Sequence, residues 1–273
     1  MKRLLVTVAL ALFTFPGFAA VQYEFVQKNS TGDVVTPMTD LTARAIVDGA
    51  RTRVEFLSGN VYPPGTYVIS TDNLKRLYFV DPLKEWYTEV NTTGIATALA
   101  ASDIKVENLQ ANNETFPNKE KIAGVEAEHH RVTLSYDLTL TVKSIPLKQH
   151  VRTEIESWTT SQFGALNAQS FLSGTMRTGN PQLDELIGAE TGKHEGFPLR
   201  QIVTIHTNYE LPKGSKLKTP TMRTITRESL VTAIKETNAQ PSMFVLPANY
   251  RRADQPDLPK SNTQTLTFDP PAN

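Results

Sequence analysis

The chain contains no cysteine in 273 residues. That excludes thiol catalysis, thiolate metal sites and disulfide staples. It also excludes the lipid-bearing cysteine of a bacterial lipoprotein. An oxidising compartment would permit disulfides, so the core must be held by apolar burial alone. Net charge is lacking too: 28 Lys and Arg stand against 28 Asp and Glu. No basic stripe is visible, so nucleic acid is not an expected partner. There is no G-x-S-x-G elbow, no H-E-x-x-H pair and no P-loop. The chain is expected not to be an enzyme and to need no cofactor or metal. No stretch beyond the first twenty residues is apolar for the roughly 20 positions that a bilayer demands, so no transmembrane anchor is expected.

What is present begins with Met1-Lys2-Arg3, an apolar run from Leu4 to Phe15, and Pro16-Gly17-Phe18-Ala19-Ala20. A positive start, a short apolar run and small residues are the signature of a removable export signal. Gly17 and Ala19 place the expected cleavage after Ala19, with Ala20 as the next choice. Residues 1–19 are therefore expected to be a signal peptide, and the mature chain a soluble periplasmic protein. Losing Lys2 and Arg3 leaves 26 basic against 28 acidic side chains, a net −2. From about Asp254 the sequence turns polar and proline-rich (Pro256, Pro259, Pro270, Pro271), which predicts a body over 20–252 and a disordered tail over 253–273.

Within the body the ruling pattern is alternation of period two. Val132, Leu134, Tyr136, Leu138, Leu140 and Val142 alternate with polar residues from Arg131 onward, as a strand with one wet and one apolar face requires. Val54 and Phe56 alternate with Arg53 and Glu55. Asp48-Gly49 between Ala43–Val47 and Ala50–Leu57 predicts a hairpin. Pro63-Pro64-Gly65, Thr71-Asp72-Asn73 and Asp81-Pro82 punctuate strands at Thr66–Ser70, Leu74–Val80 and Glu85–Val90. Further strands are predicted at Gln149–Thr160, Arg200–Tyr209 and Thr221–Lys235; the last could instead begin a helix at Glu228, but its threonines and β-branched residues favour strand. Short regular strands of this kind predict an antiparallel meander. Helices are predicted at Thr93–Ser102, with Ile95 and Leu99 four apart, and at Pro181–Gly188. In the latter Asn180 serves as N-cap and Leu183, Leu186 and Ile187 share one face. A weaker helix spans Phe163–Phe171.

Chemistry-bearing residues are few. His129 and His130 are neighbours; on a strand they point to opposite faces, so they cannot share a metal, and a surface pair is expected. His150, His194 and His206 lack ligand spacing. Glu154 and Glu156 fall on one strand face. Paired carboxylates can do acid–base work, but with Arg152 beside them they read as a solvated face. Three glycosylation sequons begin at Asn29, Asn91 and Asn113, and chance explains them in a chain this rich in Asn and Thr.

Several stretches together resemble a family of exported bacterial proteins. They are Leu77-Tyr78-Phe79-Val80-Asp81-Pro82 followed by Lys84-Glu85-Trp86-Tyr87; Lys121-Ile122-Ala123-Gly124-Val125 leading into His130–Leu134; Gly196-Phe197-Pro198-Leu199; and the closing Phe244-Val245-Leu246-Pro247-Ala248-Asn249-Tyr250. That family is similar in layout to the periplasmic lipoprotein-localisation carriers, the LolA/LolB-like superfamily. The likeness covers roughly residues 40 to 252. It departs at Ala127, near where the family often has a cysteine, and through Leu147–Lys193; no residue here can be matched to the carriers' cavity arginine.

The resemblance implies a mainly β (α+β) fold: an open, curved antiparallel half-barrel sheet covered by two or three short helices. Alternating strands need their apolar face covered, and the predicted helices could supply the cover. The hollow would be lined by Val54, Phe56, Tyr67, Ile69, Leu77, Phe79, Trp86, Leu134 and Tyr136, with Ile95, Leu99, Leu183 and Leu186 from the helices. The same residues could equally be plain core. The implied function is a non-catalytic carrier or chaperone for an apolar ligand, a lipid or the acyl chain of an acylated protein. The alternative is an envelope sensor or protein-interaction module with a filled core, as some relatives of this fold bind envelope protein partners in stress signalling.

Overall fold

A computed structural model describes residues 20–31, 34–35, 40–60, 62–91, 104–142, 145–163, 166, 180–191, 196–210 and 222–253. The strands are β1 (Ala20–Thr31), β2 (Val34–Val35), β3 (Leu41–Asp48), β4 (Arg51–Gly59), β5 (Tyr67–Ser70), β6 (Arg76–Asp81), β7 (Trp86–Asn91), β8 (Ile104–Ile122), β9 (Val125–Val142), β10 (Ile145–Thr160), β11 (Phe197–Glu210), β12 (Met222–Thr237) and β13 (Arg251–Arg252). All belong to one open sheet in the order β13-β7-β6-β5-β4-β3-β1-β12-β11-β10-β9-β8, with the short β2 beside β1. Every pairing is antiparallel except β13 with β7.

The chain thus starts in the middle of its sheet. It meanders outward through β7, resumes at the far edge with β8, and meanders back until β12 closes against β1 over residues 20–31. β1 joins the two halves. Bulges interrupt the register at Glu24/Phe25, Thr42/Ala43 and Trp158/Thr159, and twice in β8. Bulges bend and twist a strand and occur often at sheet edges, and β8 is an edge.

Local chemistry explains the turns. Asp48-Gly49 sits in the β3–β4 hairpin as predicted, with Gly49 at φ +57°. The Asp81 carboxylate accepts from the backbone N–H of Leu83 and Lys84 at 3.0 and 3.2 Å, which fixes the β6–β7 turn. One helix lies among the described residues, α1 (Pro181–Thr191). The Asn180 side-chain oxygen accepts from the N–H groups of Gln182 and Leu183 at 3.0 and 3.3 Å, so the predicted N-cap and the Pro181 start are both observed.

Of the predicted helices, only α1 is present among the described residues; Thr93–Ser102 lies outside them, and of Phe163–Phe171 only Phe163 and Leu166 are described, joined by one turn bond at 2.8 Å. The strand predicted at Thr221–Lys235 is observed as β12, with Glu228 internal to it and held from both sides by β1 and β11. The body also extends to Ala253, whose N–H donates to Tyr87 O at 2.7 Å. None of the described helices is long and apolar enough to cross a membrane.

Candidate functional site

Residues paired across strands share a face, and neighbours along a strand alternate. Register therefore decides which side chains can meet. From Tyr23 one face leads through Ala45, Val54, Val68 and Phe79 to Thr88. In the other direction Phe25 pairs with Val231. That face continues along β12 to Arg227, then across to Val203, Ile155 and Val132. One face thus runs from β7 to β9, apolar over both halves and interrupted at β1 and β12 by Gln27, Asn29, Ser229 and Arg227.

Two clusters cover most of it. In the larger, Val21, Tyr23, Val54, Phe56, Phe79, Phe197 and Val231 surround Ala43 and Ala45, whose exposure is 0%. The small alanines leave room for the rings beside them. Phe56 stacks on Tyr62 with centroids 4.1 Å apart, Tyr62 leans on Phe79 at 5.3 Å, and Phe79 reaches Trp86 at 6.2 Å. Tyr23 meets Phe197 edge-on at 5.0 Å. Burial pushes the phenols of Tyr23 and Tyr62 upward. In the smaller cluster α1 lays Leu183 and Leu186 over Val106, Val132, Leu134, Tyr136, Ile155 and Val203. The helix is pinned to the edge strand: Val106 N–H donates to the Gln182 side-chain oxygen at 3.2 Å, and the Asn180 amide donates to Ile104 O at 3.4 Å. Ile205 and Ile225 belong to neither cluster and are only half-buried, as are Phe25 and Val203 at the clusters' margins.

The opposite face is largely ionic. Arg44 pairs with Glu24 at 2.8 Å and Arg200 with Glu228 at 2.8 Å. Arg131 reaches Glu114 at 3.7 Å, Glu154 at 3.5 Å and Glu156 more closely still. Two regions of this face are apolar. Over β3–β7 the closing segment covers it. Phe244 packs on Ala20 and Ile46, and Leu246 and Tyr250 pack on Tyr67, Ile69 and Val80. The Arg53 guanidinium lies 3.6 Å over the Tyr67 ring and donates to Met243 O at 3.2 Å. The second region is a stack of Phe116, His129, Trp158 and Arg200.

The sequence-predicted lining residues separate into these groups. Val54, Phe56, Phe79 and Trp86 fall in the larger apolar cluster. Leu77, two residues before Phe79, shares its face and is half-buried. Leu134, Tyr136, Leu183 and Leu186 meet in the smaller cluster. Tyr67 and Ile69 do not join them. Tyr67 pairs with Glu55 and Ile69 with Arg53, so both point to the other face, beneath the closing segment. Ile95 and Leu99 lie outside the described residues. Tyr23, Phe25, Phe197 and Leu199 were not singled out as lining residues, yet all pack in or against the larger cluster. The alternation of Val21, Tyr23 and Phe25 was the available signal.

The histidine pair is also corrected. His129 and His130 do point to opposite faces, but neither is a surface residue. His130 is 6% exposed, and His129 is sandwiched between Phe116 and Trp158. The described residues contain no group of three or more His, Asp or Glu placed to hold a metal ion. The arrangement is suited to burying apolar surface. No family model matches the chain and no curated protein does, so the functional reading rests on this geometry.

Proposed function

We propose that the chain is a non-catalytic binding protein that shelters an apolar ligand, a lipid or a protein-linked acyl chain, on the helix-bearing face of its sheet. The N-terminal signal pattern supports a periplasmic setting for this work, with the sheet bent into a half-barrel around the ligand.

One observation carries the reading. The apolar surface continues past its described cover: α1 shields the β8–β9 edge and the aromatic cluster closes around β3 and β4, while Ile205 and Ile225 beyond them, and Phe25 and Val203 at their margins, stay half-buried. Each ligand methylene laid there contributes about 0.8 kcal/mol, so a chain of a dozen carbons would bind usefully without any polar contact. Loading and release then need only movement of the cover, with no bond made or broken.

The test is native mass spectrometry on protein purified from the envelope of its own cells, followed by titration of the delipidated protein with a fluorescent alkyl probe that carries no charged head group. Co-purified lipid and saturable uptake are expected, with Val203→Asp abolishing uptake while the fold is retained. Bare protein that takes up no probe would refute the reading in favour of a filled-core interaction module.

A further inference from the structure

Three polar groups stand inside the otherwise apolar contact between α1 and the sheet. Thr153 is 1% exposed. It pairs with Leu134 and Ile205 and so points to the apolar face. Its hydroxyl has no hydrogen-bond partner among the described residues. The Tyr136 hydroxyl approaches it without closing a bond of ordinary geometry. Glu190 follows Leu186 by one helical turn, so it lies on the stripe of α1 that docks on the sheet. No cation is paired with Glu190 among the described residues, and its carboxyl is pushed above the usual carboxylate range by burial alone.

These groups are costly where they are. A buried hydroxyl without a partner loses its water for nothing. A carboxylate in the last turn of a helix opposes the helix dipole, and no basic side chain occupies that turn. Arg227 reaches the same face only two strands away on β12, and it donates to Asn29 at 3.2 Å. Carboxylate, helix C-terminus and two hydroxyls together make a negative, acceptor-rich spot bordered by Leu134, Leu186 and Val203. Such a spot repels a fatty-acid carboxylate and suits a positively charged donor.

We infer that the apolar ligand carries an ammonium head, held by Glu190 with Thr153 and Tyr136 as hydroxyl partners. The inference rests on the apolar-ligand reading above and adds the class of head group. The ammonium would donate to the Glu190 carboxylate and to Thr153 Oγ1, while its chain runs along the half-buried Val203, Ile205 and Ile225.

Calorimetric titration of the full chain with dodecylamine (protonated at neutral pH), dodecanol and dodecanoate tests it. The amine should bind at least about tenfold more tightly than the alcohol, the increment of a charged hydrogen bond, and the carboxylate should bind most weakly. Glu190→Gln, which keeps shape and fold, should erase the amine's advantage and leave dodecanol unchanged. Thr153→Val should weaken only the amine. Amine and phosphoglycerol forms of a single-chain phospholipid, compared in the same way, show whether the ammonium comes from a lipid head group or from a free amine. Equal binding of all three probes, or an order that Glu190→Gln leaves intact, overturns the ammonium site while the apolar-ligand reading stands. Failure of every probe to bind overturns both.

Discussion

The imidazole of His129 lies flat on the indole of Trp158, centroids 4.2 Å apart and planes 4° from parallel. Register puts them there, since the two residues are directly opposed on β9 and β10. Phe116 stacks on His129 at 4.3 Å, and the Arg200 guanidinium lies 4.8 Å from the Trp158 ring. Both faces of the indole are therefore occupied, and its ring nitrogen is buried without a partner among the described residues. The value of Trp158 must come from its faces and not from its N–H. Trp158→Ala should cost about 3–5 kcal/mol, the range for emptying a buried aromatic site. Trp158→Phe keeps a ring between His129 and Arg200 and drops the orphan donor, so it should cost less than half as much. Urea midpoints of the two variants decide the matter; equal losses would mean that the N–H is bonded after all.

The β8–β9 hairpin carries a second, smaller tension. Its loop is Ala123-Gly124, and both residues have positive φ, +51° and +81°. A two-residue hairpin of this kind favours Asn-Gly, because a side chain with Cβ resists the left-handed region while Asn tolerates it. Ala123→Asn should therefore stabilise the protein by about 0.5–1 kcal/mol, and Gly124→Ala should destabilise it by about 1–2 kcal/mol. Thermal melts would show the opposite signs side by side.

The same hairpin shows what could be read from the sequence. Strands β3 to β7 were predicted within a few residues, because alternation and strong turn residues agree there. The Asn180-Pro181 start of α1 was legible for the same reason: capping chemistry is local. β8 was not foreseen. Ile104–Ile122 is mostly polar, contains Pro117, and is held by backbone pairing to β9 with few apolar contacts, as an exposed edge permits. β1 went unread because it follows directly on the signal-like segment. Tyr67 and Ile69 were assigned to the wrong face because Tyr67-Val68-Ile69 is apolar on both sides. Only the closing segment, some 180 residues later, shows that this part of the sheet is covered twice.

That double cover yields a third prediction. Phe244 is 2% exposed, with the Arg51 guanidinium 5.1 Å from its ring. It anchors the 3-10 turn Pro241–Phe244, which leads to β13 and the Thr88 hydroxyl bond to Ala253 O at 3.1 Å. Phe244→Ala should cost about 3–5 kcal/mol. It should also release the closing segment before the rest of the sheet, since local opening follows local burial. Limited proteolysis is the direct check: cleavage should appear first between Gln240 and Ala253, with the β8–β12 half still protected. Uniform loss of protection would mean that the segment is integral to the whole sheet instead of a separable strap.

The last prediction concerns pH. His150 stands between two carboxylates on the ionic face, with Glu210 at 2.7 Å on one ring nitrogen and Asp137 close against the other. It thereby ties β9 and β11 together across β10. Hydrogen bonding of the ring N–H groups to the Glu210 carboxylate, then to that of Asp137, raises the imidazole above its ordinary value, so folding favours the protonated ring. The resulting stability is fully present below the unfolded histidine value, about 6.5, and is lost as the pH rises through the higher folded value. Asp137 moves the other way. Its carboxyl is held below the usual range first by the Asn108 amide and then by His150, so its contribution holds above the ordinary aspartate value and fades as acid carries the pH through the lowered one. The pair is strongest between these limits. The gap in urea midpoint between the natural chain and His150→Gln should be widest near about pH 6 and close as the pH rises through the raised folded value, beyond which a neutral imidazole no longer attracts either carboxylate. High salt should shrink the gap at the lower pH, because the cluster is exposed and screened. A gap constant across this range would show that His150 bridges the strands by shape and not by charge.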